Sequence, residues 1–254
     1  MKFLALLGTC LCVSGALSQM QYPYNPDGNG DGQVSLPDLL DILSWYGTSF
    51  EVEDHLCGMP VEFNGYSYPT TQIGEQCWFA ENLRTATFRN GESVPLFTSN
   101  SDWYDAGMSA AAARSYPSNN SGVANAEVLG YLYNWYAVTD SRGLCPVGWH
   151  PPSLQEMNIL LSRCGAQECS AYVLRADSWG FNSVNFAAEP CAFRQFEGSF
   201  TADGAHFWTK TLTAAGTINS GHRYLRIPPG TSTPNAGMEN NGGALGFSVR
   251  CLKN

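Results

Sequence analysis

Along this chain the apolar residues change period several times, and each period predicts a different element. Phe3 to Leu17 is a continuous apolar run behind Met1 and Lys2, closed by the small-x-small motif Ala16-Leu17-Ser18 before Gln19. This predicts a secretory signal peptide over residues 1–18, too short to read as a membrane span. Leu36, Leu39, Leu40, Ile42, Leu43 and Tyr46 then recur with helical spacing, and Gly47 is a natural stop. From 51 to 130 short β-type runs alternate with Gly, Pro, Ser and Asn, as in "VEFNGYSYPTTQIG" and "CWFAENLRTATFRNGESVPLF". "SAAAARSYPSNNSGVANAE" (109–127) reads as a helical turn followed by a surface loop.

The second half carries the clearest helix, "PPSLQEMNILLSRCG". Ser153 is an N-cap, Glu156 completes a capping box, and Leu154, Met157, Leu160 and Leu161 form one stripe. Glu156 is thereby explained by capping rather than as a general acid. "YLYNWY" reads as a core strand with Leu132, Trp135 and Val138 inside, in preference to a sugar-stacking platform. The end, "GFSVRCLKN", alternates Phe247, Val249 and Cys251 on one face against Ser248 and Arg250. No repeat of 20–50 residues is present. One or two helices among many short strands predict an α+β domain.

Composition narrows the function classes. With 254 residues and 44% hydrophobic content, the chain can hold one sizeable domain and a small one. A net charge of −9 with only 13 Lys and Arg excludes a nucleic-acid binder, which needs clustered cations. Nothing after the leader is apolar enough to span a membrane. Of nine cysteines, Cys10 and Cys12 fall in the leader, leaving Cys57, Cys77, Cys145, Cys164, Cys169, Cys191 and Cys251. In an oxidising compartment these predict disulfides, and an odd number leaves a thiol free or bonded to another chain. Cys57 and Cys77 flank the first hairpin region and pair on that ground. Cys164 pairs with Cys169 or Cys191, a choice the sequence leaves open. There is no C-x-x-C pair to suggest zinc. Asn119-Asn120-Ser121 is a formal glycosylation sequon.

"DGNGDGQVSLPD" supplies calcium-type oxygen ligands at loop positions 1, 3, 5, 7, 9 and 12. These are Asp27, Asn29, Asp31, the Gln33 carbonyl, Ser35 and Asp38, with Gly32 at the sharp turn. Ser35 and Asp38 also form a capping box for the helix that follows. A solvated Gly/Asp linker would predict no such order. The loop resembles the repeat of type I dockerins, which carry two such repeats; one is seen here. That resemblance implies Ca2+ as cofactor, with affinity on the order of 10⁻⁴ to 10⁻³ M. A lone repeat needs its helix face covered by the next domain, a second copy or a partner.

Residues 73–95 and "GYLYNWYAVTDSRGLCPVGWHPPSLQEM" (130–157), with "LRADSWGFN", "FAAEPCAFRQFEGSF" and "GFSVRC", resemble the Fibrobacter succinogenes major paralogous domain (FISUMP) family. The resemblance covers residues 57–254, after a calcium loop and helix at 19–50 and a linker at 51–56. It implies a secreted or cell-surface bacterial protein with a C-type-lectin-like α+β fold. In such a fold Cys145 and Cys251 form the long bridge between the domain's ends, worth about 4–5 kcal/mol in the chain-entropy model.

The functional expectation is an extracellular binding module of the adhesion type, for a carbohydrate or protein ligand. Its calcium loop would dock or stabilise it. A structural subunit of a fibre or surface layer, self-associating, is the alternative. The fold resemblance also raises a formylglycine-generating-like oxidase. No G-x-S-x-G, H-E-x-x-H, P-loop or glycosidase carboxylate pair supports an enzyme.

Overall fold

The structure, a computed structural model, describes residues 35, 36, 40, 55–118, 123–163, 174–176, 182–213, 221–229, 235–239 and 243–254. The chain divides into two units, Met1–Asp54 and His55–Asn254. In the first, Leu36 and Leu40 are helical and exposed.

The second unit is a mixed α and β domain of short strands, few helices and two disulfides. Its centre is a four-stranded sheet in the order β3-β4-β13-β7, formed by Thr70–Ile73, Gln76–Phe79, Leu252–Lys253 and Trp149–His150. A hairpin of β1 (Val61–Phe63) and β2 (Tyr66–Tyr68) precedes it. The longer strands β10 (Ala205–Thr213), β11 (Gly221–Ile227) and β12 (Asn235–Glu239) make a separate antiparallel sheet. Small two-stranded pairs join β5 (Arg114–Ser115) to β6 (Leu132–Tyr133) and β8 (Phe193–Arg194) to β9 (Phe200–Thr201).

The period of two decides the core. On β4, Cys77 and Phe79 enter one apolar cluster while Trp78 enters another. Cys251 and Leu252 divide in the same way, as do Trp208 and Phe207 on β10. The central sheet is therefore covered on both faces. The first cluster is aromatic, built on Tyr68, Phe79, Tyr133, Trp149, Trp208 and Phe247. Cys145 bonds Cys251 inside it, and Cys57 bonds Cys77 at its edge.

Local reading and structure part company at several places. Four helices are described from end to end: α1 (Asn100–Met108), α2 (Val123–Leu129), α3 (Trp135–Val138) and α4 (Leu154–Arg163). Ala111–Ala113 are not helical. The helix lies just before them, as α1, started by Ser99, whose Oγ accepts from the Asp102 N–H at 3.1 Å. Trp103 and Ala106 on α1 are buried, so packing holds a helix whose sequence period is weak. "YLYNWY" is a two-residue strand followed by a helical turn. The Asn134 side chain caps that turn, accepting from the Ala137 N–H at 3.0 Å.

The terminal segment departs most. Ser248 and Arg250 are as buried as Phe247, Val249 and Cys251, because the segment runs through the interior and not along an open face. Helix α4 follows its pattern: Met157 and Leu160 are buried. The Ser153 N–H donates to Glu156 Oε2 at 2.6 Å and the Glu156 N–H to Ser153 Oγ at 3.2 Å. Among the described residues no helix is long and apolar enough to cross a membrane.

Candidate functional site

The segment "AENLR" leaves β4 and turns along the sheet. Its backbone is held by Ala80 N–H to Pro69 O at 2.8 Å and Leu83 N–H to Val249 O at 2.9 Å. That path sends Asn82 and Leu83 inward and leaves Glu81 and Arg84 half-buried at the surface. They line an open cleft of about 330 Å³, shared with Tyr66, Asn82, Glu127, Val128, Glu189 and Arg250. This lies at the small end of the ~300–1,000 Å³ range of small-ligand clefts.

One wall is a packed trio. Tyr66 donates its hydroxyl to Glu81 Oε2 at 2.6 Å. Arg84 donates to the same oxygen and lays its guanidinium 3.9 Å from the Tyr66 ring centroid. Burial and the bond to Glu81 both raise the Tyr66 pKa, so the phenol stays a donor. Arg84 Nε is buried without a hydrogen-bond partner.

A second wall is the end of α2. Asn82 Nδ2 donates to Leu129 O at 2.9 Å and Arg84 donates to Glu127 O, tying the last turn to the AENLR segment. Gly130 ends the helix with φ 75°; a Cβ there would lie 2.5 Å from Leu83 O. Only glycine permits both that backbone and that approach. Glu127 and Val128 are thereby left exposed at the rim.

The floor is Arg250, 1% exposed. Its Nε donates to Asn82 Oδ1 at 2.7 Å, one terminal nitrogen to Phe79 O at 3.2 Å and to Phe186 O, the other to Ala187 O at 3.0 Å. Phe186 and Phe207 flank the guanidinium at 4.7 and 5.4 Å. Burial pulls its pKa down to about 9, which leaves it charged at neutral pH. Ala187 holds a left-handed backbone, φ 46°, a conformation that costs a non-glycine residue roughly 1–2 kcal/mol. Its N–H bonds Asn182 Oδ1 at 2.9 Å and its carbonyl takes Arg250, which together hold it there.

The residues singled out from sequence fall elsewhere. Asp27, Asn29, Asp31, Gln33 and Asp38 of the calcium loop lie outside the described residues; Ser35 is described and half-buried. Cys164, Cys169, Asn119, Asn120 and Ser121 also lie outside them. Cys191, grouped above with the disulfide cysteines, is instead a free buried thiol. Burial pushes its pKa up to about 12, which keeps it protonated and unreactive at neutral pH. Among the described residues no three His, Cys, Asp or Glu side chains gather as a metal site. His150 is a structural corner: Nε2 lies 2.9 Å from Glu156 Oε1 and Nδ1 2.6 Å from Asn254 Oδ1.

No single motif marked the cleft, because AENLR meets there with the end of α2, Ala187, Glu189 and Arg250, which are distant in sequence. One signal was available: an arginine in the alternating terminal strand must find acceptors if that strand is buried.

Compared with known families, residues 71–253 match the model described as the Fibrobacter succinogenes major domain. No curated protein and no solved structure matches the chain.

Proposed function

Because the chain belongs to the Fibrobacter succinogenes major domain family, we propose that it is a secreted or cell-surface bacterial binding module that takes carbohydrate in the polar cleft. The cleft carries this reading. It sets carboxylates and a guanidinium beside small apolar surface at Ala80, Val128 and Ala187, the mixture that suits the hydroxyls and C–H faces of a sugar. Two disulfides support an oxidising, extracellular setting. Support for a C-type-lectin-like arrangement comes from the Cys145–Cys251 bridge, which spans 106 residues and ties the approach to β7 to the last strand. A glycan array probed with the mature protein tests the proposal. Graded binding that Glu81→Gln abolishes is expected, and flat binding across all sugars sinks it.

In the same reading, Asp27, Asn29, Asp31, Ser35 and Asp38 with the Gln33 carbonyl hold Ca2+. Their hard oxygen donors fit that ion, and bound calcium would order the loop ahead of its helix. Calcium titration by calorimetry on the mature protein and on Asp31→Ala checks it; equal heats remove the metal from the proposal.

A second reading, a subunit of an extracellular assembly, is favoured by Leu36 and Leu40. One helical turn apart, they are 66% and 56% exposed. Size measurement with and without chelator separates the two readings, and a monomer in both conditions removes the second.

A further inference from the structure

Resting on the carbohydrate reading, we infer that the cleft takes a neutral sugar and holds it by two hydroxyls on adjacent ring carbons, gripped by the Glu81–Arg84 pair. What the cleft can offer a ligand depends on which of its polar groups are already engaged. Tyr66 gives its proton to Glu81. Asn82 gives its amide protons to Leu129 O and Ser248 Oγ, and its Oδ1 accepts from Arg250. Arg250 donates to Phe79 O, Phe186 O and Ala187 O as well and is sealed from water.

The charges of the lining are matched as well. Arg84 is paired with Glu81. Arg250, beneath the floor, feels the charges of Glu81 and Glu189. Glu189 is itself engaged, and Glu127 stands exposed at the rim. The lining therefore favours a ligand of neither sign. A charged ligand would give up its hydration here without finding an unmatched partner.

Two kinds of group stay open, one acceptor and one donor. Glu81 is bonded through Oε2 alone, which leaves Oε1 without a hydrogen bond among the described residues. Each terminal nitrogen of Arg84 makes one bond and retains a second N–H. Arg84 bonds the other oxygen of the same carboxylate, so the open acceptor and the open donor stand within a few ångströms of each other on one wall. The Tyr66 ring against the guanidinium and the Tyr66 hydroxyl on Oε2 hold both in place before a ligand arrives. Their complement is a donor and an acceptor equally close together. Hydroxyls on adjacent carbons supply it: one gives its proton to Oε1 and its neighbour takes the Arg84 N–H, both bonds being charge-assisted. Hydroxyls separated by a blocked carbon lie too far apart to serve both. A glutamine carboxamide also sets a donor beside an acceptor, but it brings no C–H face for Ala80, Val128 and Ala187.

Calorimetry on the mature chain with sugar hexamers tests this. In 1,4-linked hexamers of glucose, xylose and mannose every inner residue carries free hydroxyls on two adjacent carbons. In a 1,3-linked glucose hexamer, of the same composition as the first, no inner residue does. A 1,4-linked galacturonate hexamer and a glutamine-rich peptide complete the set. At least one neutral 1,4-linked hexamer should bind about tenfold or more tightly than the 1,3-linked one, and more tightly than the galacturonate or the peptide. Glu81→Gln should abolish that binding, while Arg142→Ala, a surface change outside the cleft lining, should leave it unchanged. The comparison of hexamers on the unaltered chain holds whether or not the Glu81 variant folds. Equal or tighter binding of the 1,3-linked hexamer, preference for the galacturonate, or tighter binding of the peptide overturns the inference. Binding of none of the sugars sinks the carbohydrate reading itself, and the inference with it.

Discussion

Arg250 in the terminal segment and Arg142 in the loop after α3 are the same side chain in opposite settings. Arg142 sits at the surface and takes carboxylates: Nε and one terminal nitrogen bond Asp140 at 2.8 and 2.7 Å, and the other bonds Glu92 at 2.6 Å. Those contacts raise its pKa. Arg250 is buried and takes three backbone carbonyls and one amide oxygen, and burial lowers its pKa. By count of ion pairs Arg142 is the stronger site. By consequence it is the weaker, because water can replace every partner it has. Nothing can replace Arg250, which joins AENLR, the Phe186–Ala187 segment and the terminal segment into one floor.

The largest effect that could break this contrast is the loss of Arg250. Arg250→Met leaves the carbonyls of Phe79, Phe186 and Ala187 without their donor, so urea denaturation should report a loss of about 3–5 kcal/mol. A loss under about 1 kcal/mol would mean the floor tolerates its absence.

His206 sharpens the contrast at intermediate size. It is buried among Phe193, Tyr224 and Phe247, with Nε2 3.3 Å from Asp203 Oδ1 and Nδ1 without a partner. Where Arg250 has acceptors enough to stay charged, His206 does not. Burial pulls its pKa down to about 4, with Arg226 adding to the fall and Asp203 opposing it. The unfolded chain takes up this proton near pH 6.5, the folded chain only near pH 4. The stability it contributes is therefore complete above about pH 6.5 and is lost as pH falls toward 4, by roughly 3 kcal/mol. His206→Gln should remove that loss. Denaturation of both proteins at pH 7 and pH 4 measures it, and parallel behaviour would show that His206 titrates normally.

The smallest effect belongs to the surface. Arg142→Ala should leave the denaturation midpoint within measurement error, and more so in high salt. A clear drop would show that the Glu92–Asp140–Arg142 network acts as a unit with the Phe88 ring beneath it, whose centroid is 4.0 Å from the guanidinium.

The contrast between the two arginines also explains what could be read in advance. The Ser153–Glu156 capping box and the Met157–Leu160 stripe depend on residues a few positions apart, and the structure places them as their spacing requires. The Cys57–Cys77 pair flanks a short hairpin region and is similarly local. Helix α1 carried a readable cap in Ser99 with Asp102, but its weak apolar period hid it among β-type runs. Nothing local told that Arg250 and Ser248 are buried. In an alternating strand the polar residues usually face water, and here other segments cover that face as well. Glu81 and Arg84 stand three apart on one segment, but Glu127, Glu189 and Arg250 come from distant segments and share no spacing with them.

What this sequence determined alone is what short-range chemistry determines: the period and cap of α4, the local Cys57–Cys77 pair and family membership. Tertiary structure decided which polar side chains go inside, which thiol stays unpaired and which distant residues meet at the cleft. The reason is physical. A cap or a stripe is settled by neighbours within one or two turns. Burial and partnership are settled by whichever segments happen to exclude water from the same place.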